Sequence, residues 1–138
     1  MKKTLLLAVV FTVATLFSVS TVFAQETKVV NVKAVKVEKS RGENPNIKQA
    51  RPTSDIAAPK PDKSRGEICT IGFENFTGYY IDVYVDGIYR GTMAPWEAER
   101  RVTLYSGYKT IYCITAGATL EFKDSGTCDG YYYYKLSL

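Results

Sequence analysis

The chain contains no histidine, and that absence removes whole classes of chemistry. Ser-His-Asp and Cys-His catalysis, imidazole acid–base work and every zinc site with a His ligand are excluded. Tryptophan occurs once, at Trp96, and cysteine three times, with no Cys-x-x-Cys pair. No Gly-rich phosphate-binding loop occurs, and no segment keeps a helical period over three turns. Residues 124–130 offer oxygen donors, Asp124 and Asp129 among them, but lack the spacing and closing Glu of a calcium loop. No metal and no cofactor is expected. Between residues 25 and 66 there is no aromatic residue, although the chain has 11 tyrosines. Such a stretch buries too little apolar surface to offset the entropy of ordering it.

The N-terminus carries Lys2 and Lys3, then an apolar run from Leu5 to Phe17, then the more polar Ser18, Ser20 and Thr21. Val22-Phe23-Ala24 puts small residues at the first and third positions before Gln25. This is the pattern of a secretory signal peptide over residues 1–24. Its polar end argues against an uncleaved anchor, so the expected product is secreted, periplasmic or extracellular, with no stable membrane insertion after cleavage.

Charge and ring content then divide the remainder. Residues 25–66 hold ten Lys/Arg against five Asp/Glu and four of the five prolines, whereas residues 67–138 hold six against nine and all the tyrosines. Residues 25–66 therefore read as a disordered, basic linker or tail. Within it, residues 29–37 are β-prone, a run able to add as an edge strand, although mobility is the default. Lys-Ser-Arg-Gly-Glu occurs at 39–43 and again at 63–67, which reads as linker drift. The cationic tail is drawn to anionic envelope surfaces. Nucleic acid is not an expected partner, because no aromatics interleave the cations to stack on bases.

From Glu67 the apolar pattern has period two, broken by turn residues every 8–12 positions, which predicts a small antiparallel β-sandwich of about seven short strands over 67–138. Cys69, Ile71 and Phe73 alternate with polar neighbours; Ile81, Val83 and Val85 follow, then the hairpin signal Asp86-Gly87. Residues 93–98 and 124–130 read as loops. Cys69, Cys113 and Cys128 allow one disulfide and one free thiol. Cys69–Cys113 would join the sheets if both face inward, and Cys69–Cys128 would tie the first strand to the segment before the last. Cys113–Cys128 is the least compatible with a tight Ala116-Gly117 hairpin.

The aromatic surplus supplies the candidate binding residues. Alternation points Tyr80 and Tyr84 outward if Ile81, Val83 and Val85 point in. It likewise points Tyr131 and Tyr133 outward beside Lys135, and Tyr105 outward with Arg101 and Thr103, while Tyr132 and Tyr134 belong to the core. Trp96 is either an exposed anchor or a plug over the sandwich end. Exposed tyrosines suit a protein interface or stacking on sugar rings, and they also stabilise sheets through cross-strand pairs. The carboxylate pairs Glu97/Glu99 and Asp124/Asp129 would need a cleft to act as glycosidase acid and base.

Val83-Tyr84-Val85-Asp86-Gly87, Gly91-Thr92, Pro95 and Gly107-Tyr108-Lys109-Thr110-Ile111 resemble PEGA-like domains, small β-modules of bacterial and archaeal envelope proteins. The likeness runs from Val83 to Ile111 and departs where Met93-Ala94-Pro95-Trp96 replaces a more direct Thr-Pro. It implies a non-catalytic structural or interaction role and carries over no functional residue. The expectation is a non-enzymatic module associated with the cell envelope, whose partner is an envelope component or secreted protein. The alternative is a carbohydrate-binding module that uses the outward tyrosines to hold a polysaccharide.

Overall fold

β-branched and aromatic residues at alternate positions build the two stacked sheets of the computed structural model, and none of the described residues is helical. The structure describes residues 27–38, 42–53 and 66–138; the signal-peptide region and most of both Lys-Ser-Arg-Gly-Glu copies lie outside them. The strands are β1 (Thr27–Lys33), β2 (Val35–Lys36), β3 (Ile68–Asn75), β4 (Ile81–Val85), β5 (Ile88–Met93), β6 (Arg100–Tyr105), β7 (Gly107–Thr115), β8 (Leu120–Cys128) and β9 (Tyr131–Ser137). One sheet has the order β1-β9-β3-β6, and the other β2-β8-β7-β4-β5. The core between them is built from Ile71 and Phe73 on β3 and Tyr134 and Leu136 on β9 in the first sheet, and from Ile81, Val83 and Val85 on β4, Ile111 on β7 and Phe122 on β8 in the second. Phe73 and Tyr134 are register partners whose rings stack at 5.6 Å.

The all-β sandwich therefore stands, with three corrections to its detail. The tail is not disordered throughout: residues 27–36 form β1 and β2. β1 pairs along the whole of β9 and buries Val32 in the core. Ala34 then carries the chain across to the second sheet, where β2 pairs with β8. Ring-free composition did not prevent this, because backbone pairing to an otherwise open edge supplies what side-chain burial lacks. Second, the pairing is not wholly antiparallel, since β9 runs parallel to both β1 and β3. Third, residues 124–128 are not loop. β8 continues to Cys128 because β7 is long enough to pair with it, from Gly107 opposite Cys128 to Ile111 opposite Asp124. Tertiary pairing overrides the turn-forming tendency of Asp, Ser and Gly there.

The Asp86-Gly87 hairpin forms as expected, with φ of 55° and 79°. Its Gly87 carbonyl also accepts the Lys48 and Gln49 N–H groups, which lay residues 44–51 over the outer face of the second sheet. Cys69 on β3 and Cys128 on β8 form the disulfide, an inter-sheet link with Cα atoms 5.7 Å apart. Cys113 is the free thiol, and it is buried.

Candidate functional site

The six candidate aromatics fall into three separate places. Tyr84 is the first correction. It does point away from the core, but only 4% of it reaches solvent. Tyr89 and Tyr112 flank its ring at 5.7 and 6.1 Å, and Arg51 reaches the neighbouring Asp82 at 3.9 Å. Beside it the Asn44 amide donates to the Tyr112 hydroxyl at 2.6 Å, and that hydroxyl donates to Glu121 at 3.0 Å. Burial and then the Asp82 carboxylate push the Tyr84 phenol up. Alternation gave its direction correctly and could not foresee the segment that covers it.

Tyr105, Tyr131 and Tyr133 share the outer face of the first sheet. Tyr131 and Tyr133 stack at 6.5 Å over Gly72, where a Cβ would lie 2.7 Å from the Tyr133 ring. That glycine is needed for the rings to lie against the strand. The Tyr131 hydroxyl donates to Glu99 at 2.5 Å, and Glu99 also pairs with Arg101 at 2.8 Å. Tyr133 donates to Glu74 at 2.9 Å, with the Ala98 carbonyl at 3.1 Å as a second acceptor. The Arg101 and then the Tyr131 hydrogen bonds hold the Glu99 carboxyl below its ordinary range. The Tyr133 phenol is pushed up to about 12 by loss of hydration and by Glu74. The face is thus a preordered array of rings, one arginine and two carboxylates.

Tyr80 and Trp96 meet at one end of the sandwich, together with two aromatics that alternation missed, Phe76 and Tyr79. Their exposures are 58%, 68%, 42% and 48%. Beneath them lies a buried polar frame. The Asn75 amide donates to the carbonyls of Tyr79 and Ala94, both at 2.8 Å. Its oxygen accepts the Thr77 N–H at 2.9 Å and the Thr77 hydroxyl at 2.7 Å. The Thr77 hydroxyl receives the Tyr79 N–H, and the Thr77 carbonyl receives the Trp96 N–H at 3.1 Å. Trp96 adopts φ 60°, an unfavourable region for a bulky residue. An open groove of about 380 Å³ runs beside it, lined by Gly78, Tyr79 and Tyr80 on one wall and by Thr115, Ala116 and Thr119 on the other. The sequence signal that could have found this end is Asn75-x-Thr77, a spacing suited to side-chain-to-backbone turns.

The carboxylate pairs do not converge. Glu97 pairs with Arg100 at 3.1 Å and accepts the Ala94 N–H, while Glu99 belongs to the sheet-face array. Among the described residues no three His, Cys, Asp or Glu side chains gather as metal ligands do, and no helix is long and apolar enough to cross a membrane. Comparison with family models, with curated proteins and with solved structures finds no match.

Proposed function

We propose that this chain is a secreted, non-enzymatic protein-interaction module of the cell envelope, and that its working surface is the outer face of the first sheet. The observation that carries this reading is the preordered Tyr131–Glu99–Arg101 array beside Tyr133 and Tyr105. Tyrosine and arginine dominate the energetics of protein interfaces, and rings already fixed by hydrogen bonds lose little entropy on docking. Both edges of the sandwich support a surface role over a cleft chemistry: β1 and β2 close one side, and on the other Arg100 reaches across to Gly91 on the opposite sheet. The Cys69–Cys128 disulfide supports folding in an oxidising compartment, and the PEGA-like likeness supports an envelope setting.

Co-sedimentation with envelope fragments, intact or protease-stripped, tests the reading. Binding that persists in high salt, disappears when the fragments are stripped and falls at least tenfold in Arg101→Glu is the expected result. Equal binding to stripped fragments refutes a protein partner. Loss of binding in salt alone would reduce the interaction to electrostatic tethering by the basic tail.

A further inference from the structure

The aromatic end of the sandwich adjoins the sheet face where the Tyr133 hydroxyl meets the Ala98 carbonyl at 3.1 Å, but its chemistry is different. Three loops meet there, over residues 75–80, 94–98 and 115–119. Between them they carry one charged side chain, Glu97, and Arg100 neutralises it at 3.1 Å. The groove itself is lined by tyrosine, threonine, glycine and alanine, with no carboxylate, ammonium or guanidinium group. Its volume of about 380 Å³ falls within the range of about 300–1,000 Å³ typical of small-ligand sites.

We propose that this groove, with Tyr80 in its wall and Trp96 beside it next to Gly78 as stacking surfaces, binds a neutral polysaccharide. Three observations converge. Rings half or more exposed present apolar faces, which pack against the C–H face of a pyranose, while hydroxyls beside them serve the sugar's polar edge. The groove is open to solvent, so a polymer chain can reach it from outside. The rings are also held before any ligand arrives. Trp96 N–H is bound to the Thr77 carbonyl, the indole packs beside Gly78, and the Ala116 N–H ties the second wall to the Tyr80 carbonyl at 2.9 Å. A loop fixed in this way keeps a tryptophan in solvent, in a left-handed backbone conformation, against both burial and backbone preference. Strain of that kind clusters at binding sites. An anionic lipid surface is disfavoured as the occupant, because aromatic tips that enter membranes are ringed by Lys and Arg. Here, among the described residues, the cation–ring contact is Lys135, 5.6 Å from the Phe76 ring centre, and Arg100 is already paired with Glu97.

Trp96 is the only tryptophan in the chain, so its emission reports on this site alone. The protein, expressed from its full sequence and purified as the host processes it, is titrated with soluble glucan, mannan and chitin oligomers. Sedimentation with the matching insoluble polymers accompanies the titration. The expected result is a saturable blue shift with at least one neutral glycan, unchanged between low and high salt. Tyr80→Ala should weaken it at least tenfold, and Trp96→Gly should abolish pelleting while Arg101→Glu leaves pelleting intact. No shift with any neutral glycan overturns the proposal. So does a shift produced only by anionic polysaccharide and lost in salt, or only by lipid vesicles. Failure of envelope-protein binding in the sheet-face experiment would leave this result untouched, because Arg101→Glu, which disables the sheet face, serves here as the control that keeps pelleting, and Tyr80 and Trp96 lie outside that face.

Discussion

Asn75 and Thr77 form a closed pair under the sandwich end, both less than 2–3% exposed, with the Asn75 oxygen accepting the N–H and the hydroxyl of Thr77. The two Asn75 amide hydrogens meanwhile serve carbonyls from two different loops, Tyr79 and Ala94. One carboxamide therefore ties four groups together, the two on Thr77 being buried. Asn75→Ala removes all four bonds at once, although the Ala94 carbonyl keeps the Glu97 N–H at 3.2 Å. A buried polar group left unsatisfied costs about 1–3 kcal/mol, and relaxation of the loops will spare some of them. The expected loss is about 3 kcal/mol in urea unfolding, with greater mobility of Trp96 seen in its fluorescence anisotropy. A loss below about 1 kcal/mol would mean that the frame is not what holds the loops.

Trp96→Gly should behave in the opposite way. At φ 60° a side chain strains the backbone, and 68% of this one lies in solvent, so little burial is lost with it. Glycine adopts that region freely, and relief of a left-handed residue is worth about 1 kcal/mol. The variant should melt at the wild-type temperature or a few degrees above it. A lower melting temperature would show that the indole packs more tightly in solution than its exposure implies, and would weaken the case for a displayed ring.

The Cys69–Cys128 bridge closes a separation of 59 residues and joins the two sheets. Chain-entropy arguments give a loop of that size about 4 kcal/mol of stabilisation, through restriction of the unfolded chain. Reduction, or Cys69→Ala with Cys128→Ala, should lower unfolding stability by roughly 2–4 kcal/mol. Cys113 offers an internal control. Its thiol is fully buried and burial pushes its pKa up, so it is neutral as well as inaccessible. Thiol-specific labelling of the oxidised protein should therefore track global unfolding, and rapid modification in native buffer would contradict the burial.

Alkaline pH should unfold the domain in a defined window. Tyr112 and Tyr133 are each pushed up to about 12 from 10, first by loss of hydration. Tyr134, in the core beside Phe73, is raised as well, again by burial first and then by Asp124. A phenol whose folded pKa lies above its unfolded value holds its proton more tightly when folded. Its stabilisation is complete below pH 10 and is lost as pH rises toward the folded value. Stability should be flat up to about pH 10 and fall steeply between about 10 and 12. Phenolate absorbance should show the Tyr112, Tyr133 and Tyr134 phenolates appearing together with unfolding. Simultaneous ionisation of all 11 tyrosines near 10 in a still-folded protein would refute it.

Period-two alternation carried most of the fold, because inward positions such as Ile71, Val83 and Leu136 are simply apolar and their neighbours are not. Turn chemistry was equally readable at Asp86-Gly87, where only certain residues tolerate two positive φ values in succession. What stayed hidden was always a long-range relationship. Tyr84 has the right direction, but its cover comes from residues 44–51, which no local pattern connects to it. The polar run 124–128 has the composition of a loop and becomes strand only because β7 lies alongside. Phe76 and Tyr79 lie in a turn, outside any alternation, and their display depends on Asn75 reaching Ala94, 19 positions away. The β-prone run of residues 29–37 is legible in the sequence as a candidate edge strand, and the ring-free composition of the whole tail is what favours mobility for it instead.

That run makes the N-terminal segment a structural part of the sandwich, and this has a measurable consequence. β1 occupies the full length of β9 in parallel register, from Thr27 opposite Tyr131 to Lys33 opposite Ser137. The Ser137 carbonyl accepts the Ala34 N–H at 2.8 Å, and the Thr119 carbonyl accepts the Val37 N–H at 3.0 Å. Val30 and Val32 pack on the core. A chain beginning at Gly66, the boundary that composition alone suggests, loses these contacts and the cover over Tyr84 and Tyr112 together. It should bare a strand edge on β9, an aromatic patch on the second sheet and a gap where Val32 sat. Bare edges of that kind pair with other chains. The truncated protein should be less stable by several kcal/mol, and should self-associate at concentrations where the longer chain is monomeric. A second chain beginning at Val37 separates the contributions, since it removes β1 and β2 but keeps residues 42–53. It should restore protection of Tyr84 and Tyr112 in phenolate titration and still self-associate through β9. Sedimentation velocity of the three chains checks this ordering, and a monomeric, fully stable Gly66 chain would return the tail to the role of a linker.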